Sequence, residues 1–162
     1  MEQTLFYILA AVTVIGTILA ISEKHPVHAI VYLVTSFFSL AAIFYLLAAP
    51  LIAVFEVIIY AGAVMVLFMF VIMMLDLGHP QDARRPGLLH AMPALILADV
   101  TLAALLMMLT DHTVPAIVAP VVSVRDFALT LFRQYGVAIE IISMQLLFAV
   151  VGALYLGRRR KP

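Results

Sequence analysis

Residues 51–76 read LIAVFEVIIYAGAVMVLFMFVIMMLD, about 26 positions with one acid near the start and no other until the last. A helix crosses the ~30 Å hydrocarbon core of a bilayer with about 20 apolar residues at ~1.5 Å each. The run is therefore expected to be a membrane helix, and one too long by roughly four to six residues. Four further stretches meet the same criterion, at about residues 4–22, 27–48, 89–110 and 136–156. Of 162 residues, 66% are hydrophobic and only 11% charged, more apolar surface than a soluble core could hide. The expected fold is an all-α integral membrane protein, five transmembrane helices forming a single domain over residues 1–162. The opening MEQTLFYILA carries Glu2 where a secretory signal would be basic, so its apolar run is expected to persist as the first helix.

Punctuation between the runs fixes their pairing. Pro26 and Pro50 stand at helix starts, where a missing N–H is harmless. Almost no loop separates the second and third runs, which predicts a tight antiparallel pair. GHPQDARRPG at 78–87 is polar and turn-rich, as a surface connection should be. Lys24, Arg84, Arg85, Arg158, Arg159, Arg160 and Lys161 then fall on one side of the membrane, against Arg125 and Arg133 on the other. Seven basic residues against two place the C-terminus in the cytoplasm and the N-terminus in the periplasm. In the outer loop between the fourth and fifth spans, Val124, Phe127, Leu131 and Tyr135 recur at helical spacing, with Asp126, Thr130, Arg133 and Gln134 opposite. Ser123 followed by Asp126 fits a capping box, so a short amphipathic helix is expected there. Docking on the membrane interface and packing on a partner subunit both suit it.

Several polar residues lie inside the runs. Glu56 is about one and a half turns into the third span, where an ionised carboxylate is expensive. It is either a proton-relay group or a packing carboxyl hydrogen-bonded to a neighbouring helix. Tyr60, four residues on, should share nearly the same face. Ala61-Gly62-Ala63 thins the centre of the run, which suits close helix packing and equally suits a π-bulge that absorbs the surplus length. Met65, Met69 and Met73 continue Ala61 as an i, i+4, i+8 packing seam. The second span has a polar stripe of His28, Tyr32, Thr35, Ser36 and Ser39, expected to bond between helices, with His28 at the cytoplasmic interface. Asp99 lies deep in the fourth span, and Glu140 one turn into the fifth with Ser143 on the same side. No span contains Lys or Arg, so a cationic partner for any of these acids must come from another polypeptide. The chain is thus expected to be one piece of a larger assembly.

Other chemistry is excluded. There is no cysteine, hence no disulfide, thiolate metal site or cysteine-held iron–sulfur cluster. The histidines at 25, 28, 79, 90 and 112 are scattered, His25 and His28 being the nearest pair, and predict no metal site. No phosphate loop, nucleophile–base pair, dinucleotide fingerprint or haem ligand pair occurs. A net charge of zero and the lack of a soluble domain exclude nucleic acid as a partner.

The stretch EVIIYAGAVMVLFMFVIMML resembles the signature of the J-subunit family of NADH–quinone oxidoreductase, respiratory complex I, the bacterial counterpart of mitochondrial NADH dehydrogenase subunit six. HPVHAIVYLVTSFFSLAAIFYLL and LFRQYGVAIEIISMQLLFAVVGAL are similar to the family as well, so the likeness covers about residues 20–80 and 127–156. Ala128 and Ala138-Ile139 depart from it, replacing a family glycine and a Pro-Phe, and Asp99 matches no family pattern. The resemblance implies a bacterial inner-membrane, multi-pass subunit of an obligate hetero-oligomer, packed in the lipid bilayer among the A, K, H and N types of membrane subunit. This chain would hold no cofactor, while the parent complex uses FMN, iron–sulfur clusters, NADH and quinone. It further implies a third helix that switches between a π-bulge and an α-helix to gate a water path between quinone reduction and proton pumping. On that reading Tyr60, Ala61, Gly62, Ala63, Val64 and Met65 form the switching segment and Phe68 swings across the path. Glu56 flanks it, and Glu140 joins the proton-path or coupling residues. A subunit of a multisubunit cation/proton antiporter or of a membrane-bound hydrogenase, or a purely structural linker, are the competing expectations.

Overall fold

The computed structural model describes residues 2–74, 88–110 and 122–157, and all its regular elements there are helices. They are α1 (Glu2–Ser22), α2 (Pro26–Leu46), α3 (Pro50–Met74), α4 (Leu88–Thr110), α5 (Val124–Gln134) and α6 (Gly136–Gly157). The loop at 78–87, Asp76, Arg84, Arg85, His79, His112 and the basic tail 158–161 lie outside the described residues. α1, α2, α3 and α6 are long and apolar enough to cross a membrane; the apolar part of α4, Met92–Met108, is shorter. The chain divides into two compact units, one carrying α1 to α4 and the other α5 and α6.

In the first unit α2 is the hub, packing on α1, on α4 and along the whole of α3. One core cluster joins Leu9 of α1, Ala42 and Ile43 of α2 and Ala104 of α4; a second joins Val12, Tyr32 and Leu97. The α1–α2 seam is unusually close at Gly16. A Cβ there would stand 3.4 Å from both Ser36 Cβ and the Tyr32 carbonyl oxygen, so any longer side chain would enter α2. That approach brings hydroxyls of one helix onto the backbone of the other. Ser39, fully buried, donates to the Leu9 carbonyl at 3.1 Å, and Ser36 to the Thr13 carbonyl at 3.0 Å. Thr13 and Thr17 add bonds of 2.9 and 2.8 Å to the same two carbonyls, and Thr17 Oγ1 lies 3.0 Å from Ser36 Oγ. Each carbonyl thus uses acceptor capacity beyond its helix ladder. Of the stripe expected on α2, Ser36 and Ser39 do bond between helices, whereas Thr35 bonds back to Val31 at 2.9 Å within its own.

The two described turns of this unit, α1–α2 and α2–α3, are short. Glu23 accepts from the backbone N–H groups of Lys24 and His25 at 3.1 and 3.3 Å, ahead of Pro26 at the start of α2. The rings of His25 and His28 meet edge-on at 5.6 Å. At the other end α2 stops two residues sooner than expected, because the Ala49 N–H bonds back to Phe44 and the Ala48 N–H to Tyr45, which is a Schellman closure. Ala48 takes the left-handed position with φ 63°, a place glycine usually fills, and Pro50 then opens α3.

The second unit contains the amphipathic helix expected at 124–135. Ser123 caps it, but its Oγ accepts from the Arg125 N–H at 3.2 Å instead of from Asp126, as a capping box would require; Asp126 remains in the first turn. α6 follows at once and is mostly apolar.

Candidate functional site

The surplus length of α3 is absorbed in its backbone. It begins as an α-helix over Pro50–Phe55, becomes a π-helix over Glu56–Val64 and returns to α over Met65–Met74. At the entry the Glu56 N–H still reaches Ile52, four residues back; at the exit the Met65 N–H reaches Tyr60, five back. The hydrogen-bond ladder has therefore slipped by one residue across this segment, as i→i+5 bonding demands. Gly62 sits inside the slip, and a Cβ there would lie 3.2 Å from the Val57 carbonyl oxygen, five residues back. The close approach belongs to the π register itself, and glycine relieves it.

The slip decides which side chains face the bundle. Glu56, Ala61 and Met65 are buried and Met69 is half-buried, a series stepping by five and then by fours. Counting by fours from Glu56, as an uninterrupted α-helix would, gives Tyr60, Val64 and Phe68 instead. In the structure Tyr60 is 49% exposed and Phe68 53% exposed, while Glu56 is only 8% exposed. The expectation that Tyr60 shares the Glu56 face is thus displaced by one residue, and the π segment is the reason. Tyr60 stays against the bundle through its ring, which lies tilted on Phe37 of α2 at 5.6 Å. Phe37 has no sequence signal that marks it as this partner. The packing seam expected from Ala61 through the methionines holds as far as Met69 and fails at Met73, which is exposed.

Glu56 makes no hydrogen bond or ion pair with another described residue, although its side chain is almost wholly covered. A cavity of about 530 Å³ separates α3 from α4, lined by Tyr45, Ala53, Val54, Val57, Ile58 and Leu102 among others. The first half of the π segment therefore borders open space on its α4 side. Ala63 is exposed and Gly62 and Val64 are half-buried. Glu140 belongs to the second unit, exposed on α6, and Asp99 is exposed on α4. Among the described residues no three His, Asp or Glu side chains converge as a metal ligand set.

Residues 16–156 match the family described as NADH-ubiquinone/plastoquinone oxidoreductase chain 6. The NADH-quinone oxidoreductase subunit J of Pseudomonas aeruginosa is 38% identical over 160 residues, which cover 95% of each chain. Its namesake in Escherichia coli K12 is 32% identical over 161 residues, 96% of this chain and 86% of that one. Another, from Buchnera aphidicola of Schizaphis graminum, is 33% identical over 164 residues, 98% of this chain and 99% of its own.

Proposed function

Because the chain belongs to the NADH-ubiquinone/plastoquinone oxidoreductase chain 6 family, we propose that its third helix gates a hydrated path coupling quinone reduction to proton translocation. The chain is a multi-pass membrane-arm subunit of bacterial complex I and works beside other complex I subunits. Five helices, α1 to α4 and α6, cross the bilayer as one domain, with the N-terminus periplasmic and the C-terminus cytoplasmic. The surrounding subunits are of the A, K, H and N types, in an obligate hetero-oligomer. FMN, iron–sulfur clusters, NADH and quinone are bound elsewhere in the assembly.

The observation that carries this reading is the π segment at Glu56–Val64. Returning it to α geometry would remove one residue from the slip and turn everything beyond it by ~100° about the helix axis. The buried series 61, 65, 69 would give way to 60, 64, 68. Phe68 would swing inward, Met65 would swing outward, and Tyr60 would come onto the face of Glu56. A bulky ring entering or leaving the Glu56 face admits or excludes water there, and the cavity beside Val57 and Ile58 gives the backbone room to move. Glu56 then flanks the path as a carboxyl whose partner depends on the state of the helix. Glu140, on α6, is a second carboxyl on the route.

Gly62→Val tests the gate. A branched side chain against the Val57 carbonyl disfavours the π state, so the complex should assemble while quinone-linked proton pumping falls severalfold. Normal turnover and pumping in an assembled variant would leave the segment as packing alone.

A further inference from the structure

α4 divides cleanly into two faces. Leu97, Thr101 and Ala104 are buried, with Ala94, Val100 and Met108 half-buried beside them. At ~100° per residue, Asp99 points the opposite way, at the centre of a strip made of Leu95, Ile96, Leu102 and Ala103, all exposed. It is also the twelfth of the 23 residues of Leu88–Thr110, the middle of the helix. Asp99 makes no hydrogen bond or ion pair with another described residue. Among the described residues no Lys or Arg occurs in α1 to α4 or in α6.

We propose that α4 docks through this face on a transmembrane helix of another subunit, which presents a lysine or arginine side chain at mid-membrane to pair with Asp99. A carboxylate in the middle of a membrane helix does not face acyl chains; it faces protein or water. The collar around Asp99 decides between these. An aqueous channel would be lined by further polar groups, whereas Leu95, Ile96 and Leu102 are bulky and apolar, suited to closing around one buried pair. Inside such a collar the pair is well sealed, and removing one member strands the other charge. No described hydrogen bond or ion pair engages the Glu56 carboxyl either; the difference is that Glu56 is covered by the helices of its own unit, whereas within that unit Asp99 is exposed. The inference rests on the reading that α4 crosses the membrane within complex I.

The test uses the complex purified from its native membranes. With a benzophenone amino acid in place of Ala103, one turn from Asp99, irradiation should join this chain to a transmembrane peptide of another subunit that contains a lysine or arginine. Adducts with lipid alone, or with a second copy of the chain, overturn the proposal. Asp99→Leu should lower the yield of intact complex roughly tenfold, with Asp99→Asn also impaired and Asp99→Glu near normal. Full yield for the leucine or the asparagine variant overturns the ion pair. Asp99→Lys combined with an acid at the cross-linked cation should recover assembly, and failure of that exchange likewise counts against it. Ala103→Cys separates the two levels of inference. Labelling by a membrane-impermeant maleimide of that cysteine and of cysteines on every other side of α4 would show that α4 does not cross the membrane, whereas labelling at Ala103 alone, or a protected cysteine with lipid-only adducts, defeats the docking alone.

Discussion

α2 is flanked by two seams built on opposite principles. Against α1 it is locked: Gly16 lets the backbones approach, and Ser36, Ser39, Thr13 and Thr17 direct their hydroxyls onto two carbonyls one turn apart. Against α3 it packs along the whole helix, but without those hydroxyls. The facing helix carries a slipped ladder, Glu56 is covered without a described partner, and Tyr60 lies against Phe37 through its ring. Both seams place a glycine at the critical point, yet the glycines differ in kind. Gly16 makes room for another helix; Gly62 makes room for a carbonyl of its own helix. The first fixes a position, and the second permits a change of register.

That contrast predicts where substitutions act. Gly16→Leu should have the largest effect, since its branch would have to occupy the space of Ser36 and the Tyr32 carbonyl. Overpacking of this sort costs about 1–3 kcal/mol, and prying the helices apart also breaks the hydroxyl bonds across them. The amount of intact complex and its thermal midpoint in detergent should both fall. If Gly16→Leu left them at the level of the unmodified complex, the lock would not be there. Ser39→Ala should do less. The Leu9 carbonyl keeps its bond from Thr13, so only one interhelical bond is lost, worth about 0.6 kcal/mol and at most about 1.7. A small fall in thermal midpoint with unchanged pumping would place Ser39 in the frame; a loss of coupling would mean that the frame and the gate are not separable.

Much of the frame was legible in the residues. Run lengths and the two prolines predict the helices, and the stripe on α2 predicts interhelical bonds, which form at Ser36 and Ser39 but not at Thr35. The detail that makes the lock was legible too but is easily passed over: Thr13, Gly16, Thr17 and Ala20 put small or hydroxyl side chains on one face of α1 at helical spacing. Ala48 in the left-handed position carries no signal, because alanine is an unusual occupant of that site. For α3 the surplus length pointed to an irregularity and Ala61-Gly62-Ala63 to its place. What could not be read was the choice between close helix packing and a slipped ladder, since the same small residues suit both. Nor could the burial of Ala61 in place of Tyr60 be read, because side-chain periodicity presupposes the register that is in question. The partners of Glu56, Asp99 and Glu140 are illegible for a different reason: none of the membrane-length helices contains a Lys or Arg to pair with them.

The smallest expected change in stability separates the two seams most sharply. Gly62→Ala adds one methyl group and, in an ordinary helix, removes a conformational penalty of about 0.5–1 kcal/mol. In the π register the same methyl meets the Val57 carbonyl at 3.2 Å and gives some of that gain back. The net effect on thermal midpoint should be slight, below that of Ser39→Ala. The two registers are not affected alike, however, because the opposing carbonyl lies five residues back, a neighbour that the π ladder creates. Alanine therefore favours the α state, and a density map of the variant complex should show the Met65 N–H bonded to Ala61, with Phe68 turned inward. Proton pumping should drop although nothing has been destabilised. A variant that kept the π ladder, the buried Met65 and full pumping would show that α3 has one register only, and that its glycine serves packing as Gly16 does.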